Sequence, residues 1–135
     1  MKLKTFSACL MFAFATTLIA FANTDDWEGK LTGIWSCDDG GTYYIRVVGR
    51  DVYWLGESAN GGRAWTNVFF GKLVGRKIKG VWSDLPKGGA AGYGQMEFKL
   101  SPDGLTFETV AGGENFGGKS WWKRDIPDPS CPSES

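Results

Sequence analysis

The chain has 135 residues and no histidine among them. Histidine is the side chain that titrates near neutral pH and the commonest metal ligand. Its absence excludes histidine base catalysis and histidine–metal centres. Cysteine is scarce, at three residues (Cys9, Cys37 and Cys131), too few to complete a four-ligand zinc site without histidine. Neither sign of charge dominates, with 15 basic and 15 acidic residues. No basic face is implied, so nucleic acid is not an expected partner. No basic amphipathic helix is present, which argues against a membrane-surface protein. Long apolar runs are missing everywhere except at the very start.

That start reads as an export leader. Lys2 and Lys4 form a positive segment, Leu10 to Ile19 an apolar one, and Ala20-Phe21-Ala22 a small-x-small cleavage site. This order is that of a secretory signal peptide, and the apolar run is short for a span of about 20 residues. The expectation is residues 1–22 as signal peptide, cleavage after Ala22, and an exported product, periplasmic or secreted. Residues 23–30 read as an N-terminal arm, 31–124 as one domain and 125–135 as a C-terminal tail. No integral membrane segment remains after processing. Both leader lysines leave with it, so the mature chain carries two more acids than bases.

Cys9 also belongs to the leader, so Cys37 and Cys131 remain. Two cysteines in an exported chain pair in only one way or stay thiols. A Cys37–Cys131 disulfide closes a loop worth roughly 4 to 5 kcal/mol in the chain-entropy picture.

What the chain does have is tryptophan, seven in all, and 20 glycines. Short β-like runs alternate with glycine-rich breaks. The runs are 31–36, 42–48 (TYYIRVV), 51–55, 64–74, 77–82, 93–100, 105–110 and 118–124. In YGQMEFKL, Met96, Phe98 and Leu100 alternate with Gln95, Glu97 and Lys99, the signature of a half-buried strand. Tyr43-Tyr44-x-x-x-Val48-Gly49-Arg50 echoes Phe69-Phe70-x-x-x-Val74-Gly75-Arg76, a repeated hairpin chemistry. Eight short strands with tight turns predict an all-β, eight-stranded antiparallel up-and-down barrel. Closure removes the exposed sheet edges. The interior of such a barrel is filled by side chains or holds one small ligand.

Leu31-Thr-Gly-Ile-Trp35 resembles the Gly-x-Trp start of calycin barrels, the lipocalins, fatty-acid-binding proteins and avidins. Continued to Gly41, it is most similar to the avidin type. From about residue 31 to 124 the pattern also resembles uncharacterised small exported bacterial proteins carrying Asp-Gly-Gly-Thr-Tyr-Tyr-Ile-Arg. The calycin resemblance implies that Trp35 packs in the core near a basic residue of the last strand, for which Arg124 is the candidate. It does not carry biotin binding over. The turn Asp38-Asp39-Gly40-Gly41 lacks the Asn and Ser that hold the ureido oxygen in avidins.

Catalytic chemistry finds little support. Asp38-Asp39 lacks the alternating ligands of a calcium loop and suits a turn bonded to its own backbone. Glu57 with Asp84 is the one carboxylate pair to test for glycoside hydrolysis. No cofactor and no metal are implied. Trp35 and Trp82 read as core. Trp54 and Trp65 flank Glu57, Ser58, Asn60 and Arg63, a polar loop beside aromatic surfaces of the kind that lines ligand sites. The candidate binding set is therefore Trp54, Glu57, Asn60, Arg63 and Trp65, with Tyr44, Asn67 and Asp84 behind them. The function expected is non-catalytic binding of a small molecule or saccharide at a barrel mouth. The alternative is a protein-interaction or protease-inhibitor module acting through loops such as 85–92 or 112–118.

Overall fold

The computed structural model describes residues 26–124. Eight strands form a closed antiparallel barrel in sequence order, β1 through β8, with β8 pairing back to β1. They are β1 Gly33–Cys37, β2 Thr42–Val48, β3 Asp51–Glu57, β4 Thr66–Val74, β5 Lys77–Asp84, β6 Tyr93–Leu100, β7 Thr106–Gly112 and β8 Ser120–Lys123. The all-β up-and-down barrel predicted from the strand pattern is the fold.

The echo between the two aromatic-pair segments is now physical. Tyr43 and Phe69 point in, while Tyr44 and Phe70 point out. Each segment ends in a two-residue Gly-Arg turn, with Gly49 and Gly75 at φ +61 and +59. Glycine in the first turn position at positive φ matches the twist of hairpin strands.

The interior is solid with rings. Trp35, Tyr43, Trp54, Phe69, Trp82, Phe98, Phe107, Phe116 and Trp121 are all buried and pack ring against ring. Phe107 and Trp121 stack at 4.9 Å and 10°. Aromatic pairs of this kind add about 0.5–1.5 kcal/mol each beyond the area that they bury. Large rings are how a domain of this size makes a sufficient core.

Trp27–Leu31 forms a short helix, α1, capped by the Asp26 carboxylate on Gly29 N–H at 3.1 Å. Trp27 and Leu31 lie four apart, share one face and are buried, closing one end of the barrel. Trp35 donates its indole N–H to Leu31 O at 2.8 Å. Trp35 is thus in the core, as the resemblance implied. Arg124 is not beside it. Arg124 follows Trp122 on the outer face and donates to Ser36 Oγ (2.6 Å) and Thr42 Oγ1 (3.0 Å). The reason is parity, since Trp121 and Lys123 take the inward positions. Lys123 pairs in register with Trp35 and reaches the α1 carbonyls, 2.5 Å from Lys30 O.

The chain direction sorts the connections. The Gly-Arg turns and the 101–105 turn lie at the α1 end. The segments 38–41, 58–65, 85–92 and 113–119 all lie at the other end, the mouth. Cys37 is buried near the mouth, while Cys131, its expected partner, lies outside the described residues, as do the leader and the tail from 125 on.

Candidate functional site

The ladder register builds the mouth from the strands upward. Tyr43 pairs with Gly56, Gly56 with Asn67, and Asn67 with Asp84. All four positions face in, so they form one arc of the barrel at the mouth. Gly56 leaves the space that two neighbours use. A Cβ there would lie 2.5 Å from the Tyr43 ring and 2.6 Å from Asn67 Oδ1. One layer below, Ile45, Trp54, Phe69, Trp82 and Gly94 repeat the arrangement.

Each polar side chain of this arc has a partner. Tyr43 donates its hydroxyl to Asp39 Oδ2 at 2.5 Å, and Asp39 Oδ1 accepts from Gly41 N–H at 2.8 Å. Trp54 donates its indole N–H to Asn67 Oδ1 at 2.9 Å. Asp84 Oδ2 accepts from Gly92 N–H at 2.7 Å. Burial raises the Tyr43 phenol far above its ordinary range, and its bond to Asp39 and that carboxylate's charge raise it further. The phenol therefore stays a donor, and Asp39 keeps a fixed orientation.

Above this arc lies a cavity of about 140 Å³. Asp39, Asn67, Asp84 and Asn115 line it with oxygen-bearing groups, and Trp65, Trp82 and Phe116 line it with rings. At about 30 Å³ per water it holds some four or five waters, the size of one small ring. No lysine or arginine lines it. Trp82 is 4% exposed and has no hydrogen-bond partner for its indole N–H among the described residues.

Of the predicted site residues, the structure brings Trp65, Asn67 and Asp84 together at this cavity. Trp54 is not at the rim. It shares the inward parity of Val52 and lies in the core, stacked 4.4 Å from Phe69, one bond below Asn67. Glu57 pairs with Lys87 at 3.2 Å beside the mouth, and it does not line the cavity that Asp84 lines. Asn60 is spent on its own loop, where its Oδ1 accepts from Ser58 Oγ and from Arg63 and Ala64 N–H. Arg63 is exposed on that loop. Tyr44 faces the other side of the sheet, with Tyr53, Leu55, Phe70 and Val81 on a shallow apolar outer surface.

Sequence reasoning missed Asp39, Asn115 and Phe116 and treated Trp82 as core only. Phe116 carried a signal, being a lone aromatic inside the glycine-rich Gly112-Gly-Glu-Asn-Phe-Gly-Gly118. An apolar ring in such a loop is a candidate to turn inward, as Phe116 does.

Asp38 serves the frame. Its Oδ1 accepts from Lys119 N–H (2.8 Å), Ser120 N–H (3.3 Å) and the Cys37 thiol (3.3 Å). Burial pushes its carboxyl up, but these bonds outweigh that and hold it below its ordinary 3.8. Burial likewise drives the Cys37 thiol well above the thiol range, which makes it a poor nucleophile. Among the described residues no cluster of metal-ligating side chains occurs, and no helix is long and apolar enough to cross a membrane. No family model, no curated protein and no solved structure matches this chain.

Proposed function

We propose that this is an exported, calycin-type barrel that binds a small hydroxylated molecule, a saccharide ring being the reference case, at its mouth without chemical conversion. The carrying observation is the lining of the 140 Å³ cavity, with acceptor-bearing Asp39, Asp84, Asn67 and Asn115 set against the rings of Trp65, Trp82 and Phe116. Indole faces stack on the C–H face of a sugar ring, and carboxylate oxygens accept from its hydroxyls. Mostly apolar walls with a few placed polar groups are the usual build of a small-molecule site. Two carboxylates without a lining cation disfavour anions, so fatty acids and phosphates are poor ligands here.

Two features favour this reading over an inhibitor with projecting loops. The 85–92 segment is tied back by Leu85 N–H to Thr66 O (2.7 Å) and Ala90 N–H to Ala64 O (3.1 Å). The 113–119 segment turns its aromatic residue inward rather than outward.

A thermal-shift screen of neutral sugars, amines and carboxylates tests the reading, because a ligand that binds only the folded state raises the melting point. Neutral sugars are expected to raise it and carboxylates to leave it unchanged. Trp65→Ala and Asp84→Asn are expected to abolish the shift. A carboxylate shift, or a sugar shift that survives both substitutions, contradicts the proposal.

A further inference from the structure

We propose that Phe116 is an internal stopper occupying the deep half of this site, and that the preferred ligand carries a flat aromatic ring that displaces it. The ligand class is then an aryl group joined to a hydroxyl-bearing head, the head meeting Asp39 and Asp84 and the ring taking the place of Phe116. This inference rests on the mouth site proposed above and extends it inward.

Four observations carry it. Among the described residues, Phe116 is the buried ring that comes from a loop rather than a strand or helix, and it is only 5% exposed. It meets Trp82 edge-on at 4.8 Å and lies within 6.4 Å of the rings of Trp121, Trp54 and Tyr43. Its withdrawal therefore joins the small cavity to an aromatic-walled space below.

The loop is flanked by glycines and rests on a short ladder. Gly112 and Gly113 precede it at φ +70 and +68, and Gly117 and Gly118 follow it. The β7–β8 ladder behind it has only three register pairs, Thr106↔Trp122 to Glu108↔Ser120, where β4–β5 runs from Asn67 to Val74. Its tethers are Gly113 N–H to Gln95 O, Thr109 N–H to Lys119 O, Lys119 N–H to Asp38, Lys119 Nζ to Gly113 O and Phe116 N–H to Gly113 O, which hold the base and curl of the loop rather than the ring.

Two of the indoles packed on Phe116, those of Trp82 and Trp121, have buried N–H groups without partners among the described residues. A buried donor left unpaired is costly. A phenylalanine ring offers no acceptor to Trp82, the one of the two that lines the cavity, whereas a ring bearing an oxygen does.

The test uses 4-hydroxyphenyl β-glucoside as probe and methyl β-glucoside as the ring-free control. In the wild-type protein, saturating aryl probe is expected to abolish the nuclear Overhauser contact between the Phe116 and Trp82 rings. The methyl glucoside is expected to leave it intact. Phe116→Ala is expected to bind the aryl probe about tenfold more tightly than wild type, since a self-occupied site lowers apparent affinity by the open fraction. Its affinity for the methyl glucoside is expected to stay unchanged. Should Phe116→Ala fail to fold, Phe116→Leu and the wild-type spectrum decide the matter. Aryl binding with the Phe116–Trp82 contact preserved overturns the stopper, and so does the absence of aryl binding in either protein. If methyl glucoside binds in these cases, the mouth site itself stands. If the aryl probe displaces Phe116 while methyl glucoside does not bind at all, the stopper holds and the sugar reading fails.

Discussion

The two ends of the barrel are both stoppered by an aromatic residue, yet they are made differently. At the α1 end the plug is a capped helix. Trp27 and Leu31 are its buried face, Trp35 N–H bonds Leu31 O, Val47 N–H bonds Thr32 Oγ1, and Lys123 satisfies the helix carbonyls. At the mouth the plug is one ring on a glycine-flanked loop, and two neighbouring indole N–H groups lie buried without partners. The polar groups just named at the α1 end are paired, which makes it a structural seal. An end that leaves donors unpaired, next to a cavity with carboxylates already oriented, is where a ligand gains the most by entering.

The sharpest way to break this contrast is to remove one ring from each end. Trp35→Ala is expected to cost about 3–5 kcal/mol, the range for deleting a large ring from a closed core. Phe116→Ala is expected to cost under about 2 kcal/mol, because an open mouth admits water and the loop resettles, and cavity cost depends on such collapse. Urea denaturation of both proteins checks the order, and equal losses would mean that the mouth is as much a seal as the other end.

Next in size is Asn67→Ala, which leaves Trp54 N–H unpaired beneath the cavity. A loss of about 1–3 kcal/mol is expected, together with weakened sugar binding. Loss of stability with binding intact would separate Asn67 from the site.

The smallest effect is the acid response of Asp38, which ties the stopper loop to the β1–β2 turn. Its folded-state pKa lies below its ordinary 3.8. Between those two values the unfolded state binds more protons than the folded one. The stabilisation is therefore complete above about pH 5 and fades as pH falls through the folded value. Asp38→Asn is expected to flatten the fall in melting temperature below that pH. An unchanged acid limb would show that the loop is held by other bonds.

How much of this was legible in the sequence depends on the kind of signal. The barrel was, because alternation such as Met96/Phe98/Leu100 and the paired Val-Gly-Arg turns are local facts. Strand ends differ by a residue or two, as at 51–55 against Asp51–Glu57 and 64–74 against Thr66–Val74, because glycine both breaks strands and lies inside them, as Gly56 and Gly71 do. The α1 helix was missed because one turn of helix has little periodicity, although Asp26 as cap and Trp27/Leu31 at i, i+4 were visible in retrospect. At the site, Trp65, Asn67 and Asp84 were within reach as polar or aromatic residues near strand ends. Trp54 was misplaced by its polar neighbours, when its parity with Val52 already pointed inward. Asp39 and Phe116 needed the register, because only the closed ladder brings the β1–β2 turn and the β7–β8 loop to the same mouth.

The most direct test of the central claim is the indole region of a nitrogen–proton correlation spectrum, recorded as a neutral sugar is titrated into the wild-type protein. The account predicts that the Trp65 and Trp82 indole signals move with a common saturation curve, while Trp35, bonded to Leu31 O at the sealed end, stays fixed. Saturable shifts on the outer sheet at Tyr44, Tyr53 and Phe70, with Trp65 and Trp82 unmoved, would contradict it.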